Sequence, residues 1–307
     1  MLAGDKRLLF SDDERGFVMY QVRGRSWVAL GDPVGRAETH AELLWRFREL
    51  CDRHDGRPIF YQISAETLPS YIDLGLTALK LGEEARVGLA EFSLDGKARA
   101  GLRQSHRRAE REGASFAVLT PEQVAASIEE IEAISGAWLA DKHTAEKAFS
   151  VGAFSREYIV QFPCAVVRRD AHIVAFANLL ASGDRNELTL DLMRHGADAP
   201  PGVMDYLFVE LMLMGKAESY RWFSLGMAPL SGFEAHRLAP LWHRLGGLIY
   251  RHGEHFYNFE GLRHYKDKFR PVWTPRYLVS PGGVALPRML LDIAALISGG
   301  YRRIVAK

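Results

Sequence analysis

Cysteine is almost missing: among 307 residues only Cys51 and Cys164 carry thiols, and no CxxC pair occurs. A disulfide framework and a structural zinc site both lack their ligands, and the chain fits a reducing, cytosolic compartment. An excess of charge is missing as well, because 39 Lys plus Arg nearly cancel 38 Asp plus Glu. A histone-like polycation is thereby excluded, and any contact with nucleic acid has to use a local patch. No apolar run reaches the roughly 18 residues that cross a bilayer, the longest uncharged stretch lying around 171–183. Charges spread through residues 1–15 leave no room for the apolar core of a signal peptide. GxGxxG, the P-loop, HExxH and the GxSxG elbow are all absent, which sets aside redox, kinase and metalloprotease chemistry. Neither a metal nor a cofactor is expected.

What is present reads as a folded globular chain, 48% hydrophobic and 25% charged. At about 150 residues per domain, two domains, or one of unusual size, are expected. Short apolar runs at 8–10, 16–22 and 26–30, separated by turns, predict antiparallel strands. A helix follows over 37–54, where Leu43, Leu44, Phe47 and Leu50 recur at helical spacing, then a strand at 58–63, a short helix at 65–74 and a strand near 84–91. The second half repeats this pattern, with a helix over 121–139, strands at 164–169, 172–180 and 187–193, a helix over 203–219 and a strand at 221–225. Two α/β (α+β) units in tandem, 1–117 and 118–307, are the resulting expectation. A GCN5-related acyltransferase (GNAT-like) fold has this pattern, as do other α+β folds.

Five segments carry the chemical interest. In residues 97–112 (KARAGLRQSHRRAERE), Arg99, Arg103, Arg107 and Arg111 recur at every fourth position and form a slowly rotating stripe on a helix. Guanidinium forks on such a stripe suit the phosphates of a nucleic acid, although a solvated face partly neutralised by Glu110 and Glu112 has the same composition. In 187–195 (ELTLDLMRH), a strand places Asp191 and Arg194 on opposite faces unless a bulge intervenes. An Asp among leucines is paired in the core or functional. In 199–212 (APPGVMDYLFVELM), Gly202 closes a loop before a helix whose first amides can hold an anion. The pyrophosphate-binding pattern of ordinary coenzyme A dependent enzymes does not fit around 194–201, so coenzyme A is disfavoured. In 257–277, Arg263, Lys266, Lys268, Arg270 and Arg276 alternate with aromatic rings, a composition suited to a single-stranded RNA end or to an anionic lipid headgroup. Residues 286–307 form an amphipathic segment that either lies on an anionic membrane surface or docks on its own domain.

Six ordered motifs then converge on one family. RSWVALGDPVG (25–35), LRQSHRRAEREG (102–113), LDLMRH (190–195), PPGVMDYLF (200–208), FSLGMAPLSG (223–232) and the stretch from Asn258 through 278 resemble the catalytic domain of the aminoacyl-phosphatidylglycerol synthases, the multiple peptide resistance factors. The resemblance implies two tandem GCN5-related folds similar to those of the Fem peptidyltransferases. It also implies transfer of an amino acid, lysine or alanine, from its tRNA to a glycerol hydroxyl of phosphatidylglycerol. The product lowers the negative charge of the membrane and confers resistance to cationic antimicrobial peptides. Aminoacyl-tRNA, phosphatidylglycerol, an anionic membrane surface and a membrane-embedded N-terminal region of the same protein are the implied partners, at the cytoplasmic face of the cell membrane. Under it, Asp191 orients or deprotonates the lipid hydroxyl and Arg194 holds the lipid phosphate or the oxyanion. Arg263, Lys266 and Lys268 position phosphates, with Asn258 and Gly202 also on the substrate side, and the Arg99 to Arg111 stripe steers tRNA. An acidic wall for a lysine side chain is not evident, Glu254 and Glu260 being only nearby acids. A Fem-like transferase acting on a peptidoglycan precursor, a coenzyme A dependent acetyltransferase and a non-enzymatic module binding anionic lipid or RNA are the competing readings.

Overall fold

A computed structural model describes residues 4–233 and 259–301. It opens on an antiparallel meander, β1 (Arg7–Phe10), β2 (Gly16–Arg23) and β3 (Ser26–Leu30), with the short β4 (Val34–Gly35) alongside β2. In β2, Val18 and Tyr20 alternate inward, the period that a half-buried strand requires. Helix α1 (His40–Arg53) buries Leu43, Leu44, Phe47 and Cys51 on one face and returns the chain to β5 (Arg57–Ser64), parallel to β3. Helix α2 (Leu68–Asp73) then leads into β6 (Thr77–Gly88), which is longer than the alternation predicts and starts earlier.

Helix α3 (Ala100–Arg111) and strand β7 (Ser115–Leu119) begin a second run of elements. The helix expected over 121–139 is two, α4 (Pro121–Ala126) on a Thr120–Gln123 capping box and α5 (Ile128–Asp141), divided at Ser127. After α6 (Arg156–Ile159), strands β8 (Cys164–Arg169), β9 (His172–Ala181) and β10 (Glu187–His195) run antiparallel. Helix α7 (Val203–Ala217) carries the chain to β11 (Trp222–Pro229), parallel to β10, and α8 (Phe259–Asp267), β12 (Val272–Ser280) and α9 (Leu286–Ser298) follow. Antiparallel strands, a helix and a parallel strand thus occur twice among the described residues.

All the described strands share one sheet, in the order β1-β2-β3-β5-β12-β6-β11-β10-β9-β8-β7. Its join is an exchange: β12, from late in the chain, lies between β5 and β6. Helix α9 goes with it, packing Met289, Ile293 and Leu296 into one core with Val28, Ile59 and Tyr61. Asp292, only 2% exposed, fixes the helix by accepting from Ser26 Oγ at 2.7 Å and pairing with Arg288 at 3.2 Å. The segment expected to lie on a membrane surface or to dock on its own domain thus packs its apolar side on β3 and β5, strands of the first run, and residues 302–307 lie outside the described set. Conversely, α3 turns Leu102, His106 and Ala109 toward α7 and shares its core. The expected division between residues 117 and 118 therefore runs through a continuous sheet. No helix among the described residues is long and apolar enough to cross a membrane.

Candidate active site

The sheet opens where its central parallel pair stops. Strands β10 and β11 are paired only from Glu187 with Trp222 to Thr189 with Ser224. Beyond that point β10 follows β9 as far as His195, and β11 follows β6 as far as Pro229. The wedge between them is a cleft of about 570 Å³, walled by Leu190, Asp191 and Met193 on one strand and Leu225, Gly226 and Met227 on the other. Phe208 of α7 and Lys266 of α8 line it as well. Tyr61 and Gln62 of β5, the loop 142–155 and Ile297 of α9 complete its lining, so both runs of the chain contribute.

Asp191 faces this cleft because the register slips between Leu190 and Met193. Its half-buried carboxylate accepts from the Gly152 amide at 2.8 Å on Oδ1 and from the Tyr158 hydroxyl on Oδ2. Burial and the adjacent carboxylate push the Tyr158 pKa up, so this hydroxyl remains a donor at physiological pH. At the slip, the Leu192 amide donates to Asn178 Oδ1 at 2.7 Å, which satisfies a backbone group that the ladder has released. Glycine is required at 152, since a Cβ there would lie 2.0 Å from Asp191 Oδ2. Gly152→Ala is expected to displace the carboxylate, lowering turnover about tenfold or more and stability by about 1–3 kcal/mol, as steady-state kinetics and denaturant unfolding would measure.

Arg194 does not join Asp191. It is 4% exposed and turns to the other face of β10, where it forms a bidentate pair with Glu146 at 2.8 and 2.7 Å. Its fork also donates to Ser135 of α5 and lies 5.3 Å from the Trp138 ring centre. The expectation that Arg194 holds a phosphate or an oxyanion is thus corrected: its buried fork gives three of its five N–H donors to Glu146 and Ser135, away from Asp191, and it ties the loop that carries Gly152 to α5.

The three basic residues expected to act together around α8 separate in the same way. Lys266, 6% exposed, lines the cleft and donates to the carbonyls of Gly226 at 3.0 Å and Met227 at 2.9 Å. Burial pulls its pKa down to about 8, opposed by Glu84. Arg263 instead pairs with Glu83 at 2.6 Å and stacks 4.2 Å from the centre of Trp273. Lys268, beyond the end of α8, pairs with Asp205 at 3.1 Å and sits 4.6 Å over Tyr265. Among these three, only Lys266 is a cleft residue, because complementary carboxylates on β6 and α7 hold the other two away.

Gly202 is the N-cap of α7 with φ +83, and its nearest side chain is Ser105 of α3. The first turn, expected to hold an anion, already contains the buried carboxylate of Asp205, which satisfies the helix dipole. Asn258 and Glu254 lie outside the described residues, and Glu260 is exposed at the start of α8.

The basic stripe is present on α3. Arg103, Arg107 and Arg111 line a shallow groove of about 690 Å³ together with Gln104 and Glu110. Arg99 stands apart, 5.1 Å over the Phe92 ring, where burial and then Arg270 lower its pKa. Arg103 is partly committed to the Gly96 carbonyl at 3.1 Å, while Arg107 and Arg111 are exposed. Underneath, the buried His106 reaches Glu210 and anchors the stripe to α7, the helix whose Phe208 lines the cleft.

Several site residues carry no signal in the sequence. Gly152, Tyr158, Lys147 and Gln62 lie in aperiodic or ordinary-looking segments. Glu84 reaches the cleft wall through Ser224, whose hydroxyl donates to it at 2.9 Å.

The family described as phosphatidylglycerol lysyltransferase, C-terminal, matches residues 1–280. A phosphatidylglycerol lysyltransferase of Bacillus subtilis (strain 168) is 39% identical over 277 residues, covering 90% of this chain and 32% of that protein. The chain spans about a third of the length of the curated relatives it matches. Among solved structures, the C-terminal domain of an Agrobacterium fabrum protein assigned as a lysylphosphatidylglycerol synthetase is 45% identical with a TM-score of 0.88, covering 98% of this chain and 91% of that one. L-PGS from Bacillus licheniformis is 36% identical with a TM-score of 0.84, covering 96% and 90%. The chain belongs to the phosphatidylglycerol lysyltransferase C-terminal family.

Proposed function

We propose that this chain is the transfer domain of a phosphatidylglycerol lysyltransferase, moving a lysyl group from its tRNA to a glycerol hydroxyl of phosphatidylglycerol. The observation that carries this reading is the meeting of Asp191 and Lys266 in one apolar-walled cleft, in a chain of this family. Lysine rather than alanine is favoured by the names of the curated relatives. The repeated order of strands and helices supports two GCN5-related units, 1–117 and 118–307, that exchange β12 and α9 across one sheet.

The reaction exchanges one ester for another and needs no added energy source. The lipid hydroxyl attacks the ester carbonyl carbon, forming a C–O bond and a tetrahedral oxyanion. The carboxylate of Asp191, held from behind by Gly152 and Tyr158, has lone pairs left to accept the hydroxyl proton. Collapse breaks the bond to the tRNA ribose oxygen, which takes up that proton. Two carbonyls use two of the three N–H donors of Lys266, and the third is the oxyanion's donor. The product replaces an anionic headgroup with a cationic one, which lowers the negative charge of the membrane and repels cationic antimicrobial peptides. Such a domain works at the cytoplasmic face, tethered by a membrane-embedded N-terminal region. The outward Val284, Arg288 and Leu291 suit contact with an anionic bilayer.

Transfer of radiolabelled amino acid into phosphatidylglycerol vesicles tests the reading. Label is expected in the lipid extract from lysyl-tRNA and not from alanyl-tRNA. Absence of label from both, with vesicle binding intact, would overturn it. Incorporation into a peptidoglycan precursor instead would favour the Fem-like alternative. In the same assay, Arg107→Glu with Arg111→Glu should raise KM for lysyl-tRNA about tenfold or more and flatten its salt dependence, with kcat unchanged.

A further inference from the structure

We propose that Lys147, with Gln62 and Ser150, forms a phosphodiester-binding subsite on the cleft wall built by β5 and the loop 142–155. The proposal rests on the transfer reading for its substrates, and its test separates the two.

The titratable groups lining the cleft are Tyr61, Lys147, Asp191 and Lys266. The cleft is therefore cationic in balance, and the mechanism above uses only Lys266 of its two ammonium groups. Lys147 lines the cleft with Tyr61, Gln62 and Ser150. An ammonium, a carboxamide and a hydroxyl on one wall offer several donors to a ligand with several acceptor oxygens and a fixed negative charge. A phosphodiester has both properties. The cationic lysyl group has the opposite charge and is disfavoured beside Lys147.

The backbone is shaped to present these groups. Across β5 and β12 the register passes from Tyr277 with Ile63 to Leu278 with Tyr61, so Gln62 is the unpaired residue of a bulge. Its φ of +68 is unusual for glutamine within a strand. Two positions after Lys147, Phe149 has φ +64, is 1% exposed, and its amide donates to Asp5 at 3.0 Å. Two left-handed non-glycine residues therefore flank one polar patch, the distribution that over-determined binding sites show. Burial lowers the Lys147 pKa, and a bound phosphate would restore its charged form.

Two phosphates reach such a cleft, that of the lipid headgroup and that of the tRNA 3′ terminus. The purified chain and its Lys147→Met, Lys147→Gln and Lys147→Arg variants would be titrated with sn-glycero-3-phosphoglycerol and assayed for lysyl transfer. The neutral variants should weaken binding of this headgroup about 10- to 100-fold, and Lys147→Arg should retain it within a few-fold. A matching rise in KM for phosphatidylglycerol, with KM for lysyl-tRNA and kcat unchanged, assigns the lipid phosphate. A rise confined to KM for lysyl-tRNA assigns the tRNA phosphate. Unchanged binding and unchanged KM for both substrates in Lys147→Met and Lys147→Gln would overturn the subsite. Headgroup binding that depends on Lys147 in a chain that transfers nothing would keep the subsite and remove the transfer reading.

Discussion

Asp191→Asn should slow lysyl transfer by about 10²- to 10⁴-fold, the range for loss of a positioned general base, with little change in melting temperature. The contrast follows from what the carboxylate does in each role. Structurally it is an acceptor for the Gly152 amide and the Tyr158 hydroxyl. An asparagine oxygen still accepts from the amide, and a tyrosine hydroxyl accepts from an amide N–H as readily as it donates. Chemically, the substitution removes the group that takes the proton from the lipid hydroxyl. Asp191→Ala would confuse the two roles, because it leaves both donors unpaired at a cost of about 1–3 kcal/mol. Single-turnover transfer and thermal melting on Asp191→Asn therefore isolate the chemistry. A folded Asn variant with full rate would remove Asp191 from proton transfer and leave that task to Lys266.

The legible parts of this protein are those whose signal is local. The inward alternation of Val18 and Tyr20 and the helical spacing of Leu43, Leu44 and Phe47 reflect neighbours a few residues apart, and strand β2 and helix α1 follow. The arginine repeat likewise places Arg103, Arg107 and Arg111 along one groove. The position of β12 between β5 and β6 is not legible, because its pairing is set by partners some two hundred residues away in sequence. The same limit applies to the site. Asp191 stands out as an acid among leucines, whereas Gly152, which clamps it, lies in a loop without period. Arg194 and Lys266 are both cationic residue types, and nothing within its own strand reveals that Glu146 occupies the Arg194 fork. Arg263 and Lys268 mislead for the same reason: the carboxylates that hold them are on β6 and α7.

Lys266→Met should combine a loss of transfer of at least about 10²-fold, the effect of removing one oxyanion donor, with a gain in stability at neutral pH. Burial lowers the Lys266 pKa from 10.5 to about 8, so the folded chain binds this proton less tightly than the unfolded chain does. Below about pH 8 both states are protonated, and the folded state carries the whole cost of burying an ammonium. Between about 8 and 10.5 the unfolded chain holds more protons, so wild-type stability rises with pH, and above that window the cost is gone. With about 1.4 kcal/mol for each tenfold loss of proton affinity, the cost is about 3 kcal/mol, which loss of the two carbonyl contacts reduces to a net gain of about 1–2 kcal/mol in the variant. Urea unfolding near pH 7 and near pH 10 should find that gain at the lower pH and little of it at the higher. The rate profile supplies the sign of the chemistry. If the charged ammonium donates to the oxyanion, wild-type kcat falls as pH rises through about 8. If the neutral amine is the base, kcat rises through the same range, and removal of the hydroxyl proton passes from Asp191 to Lys266.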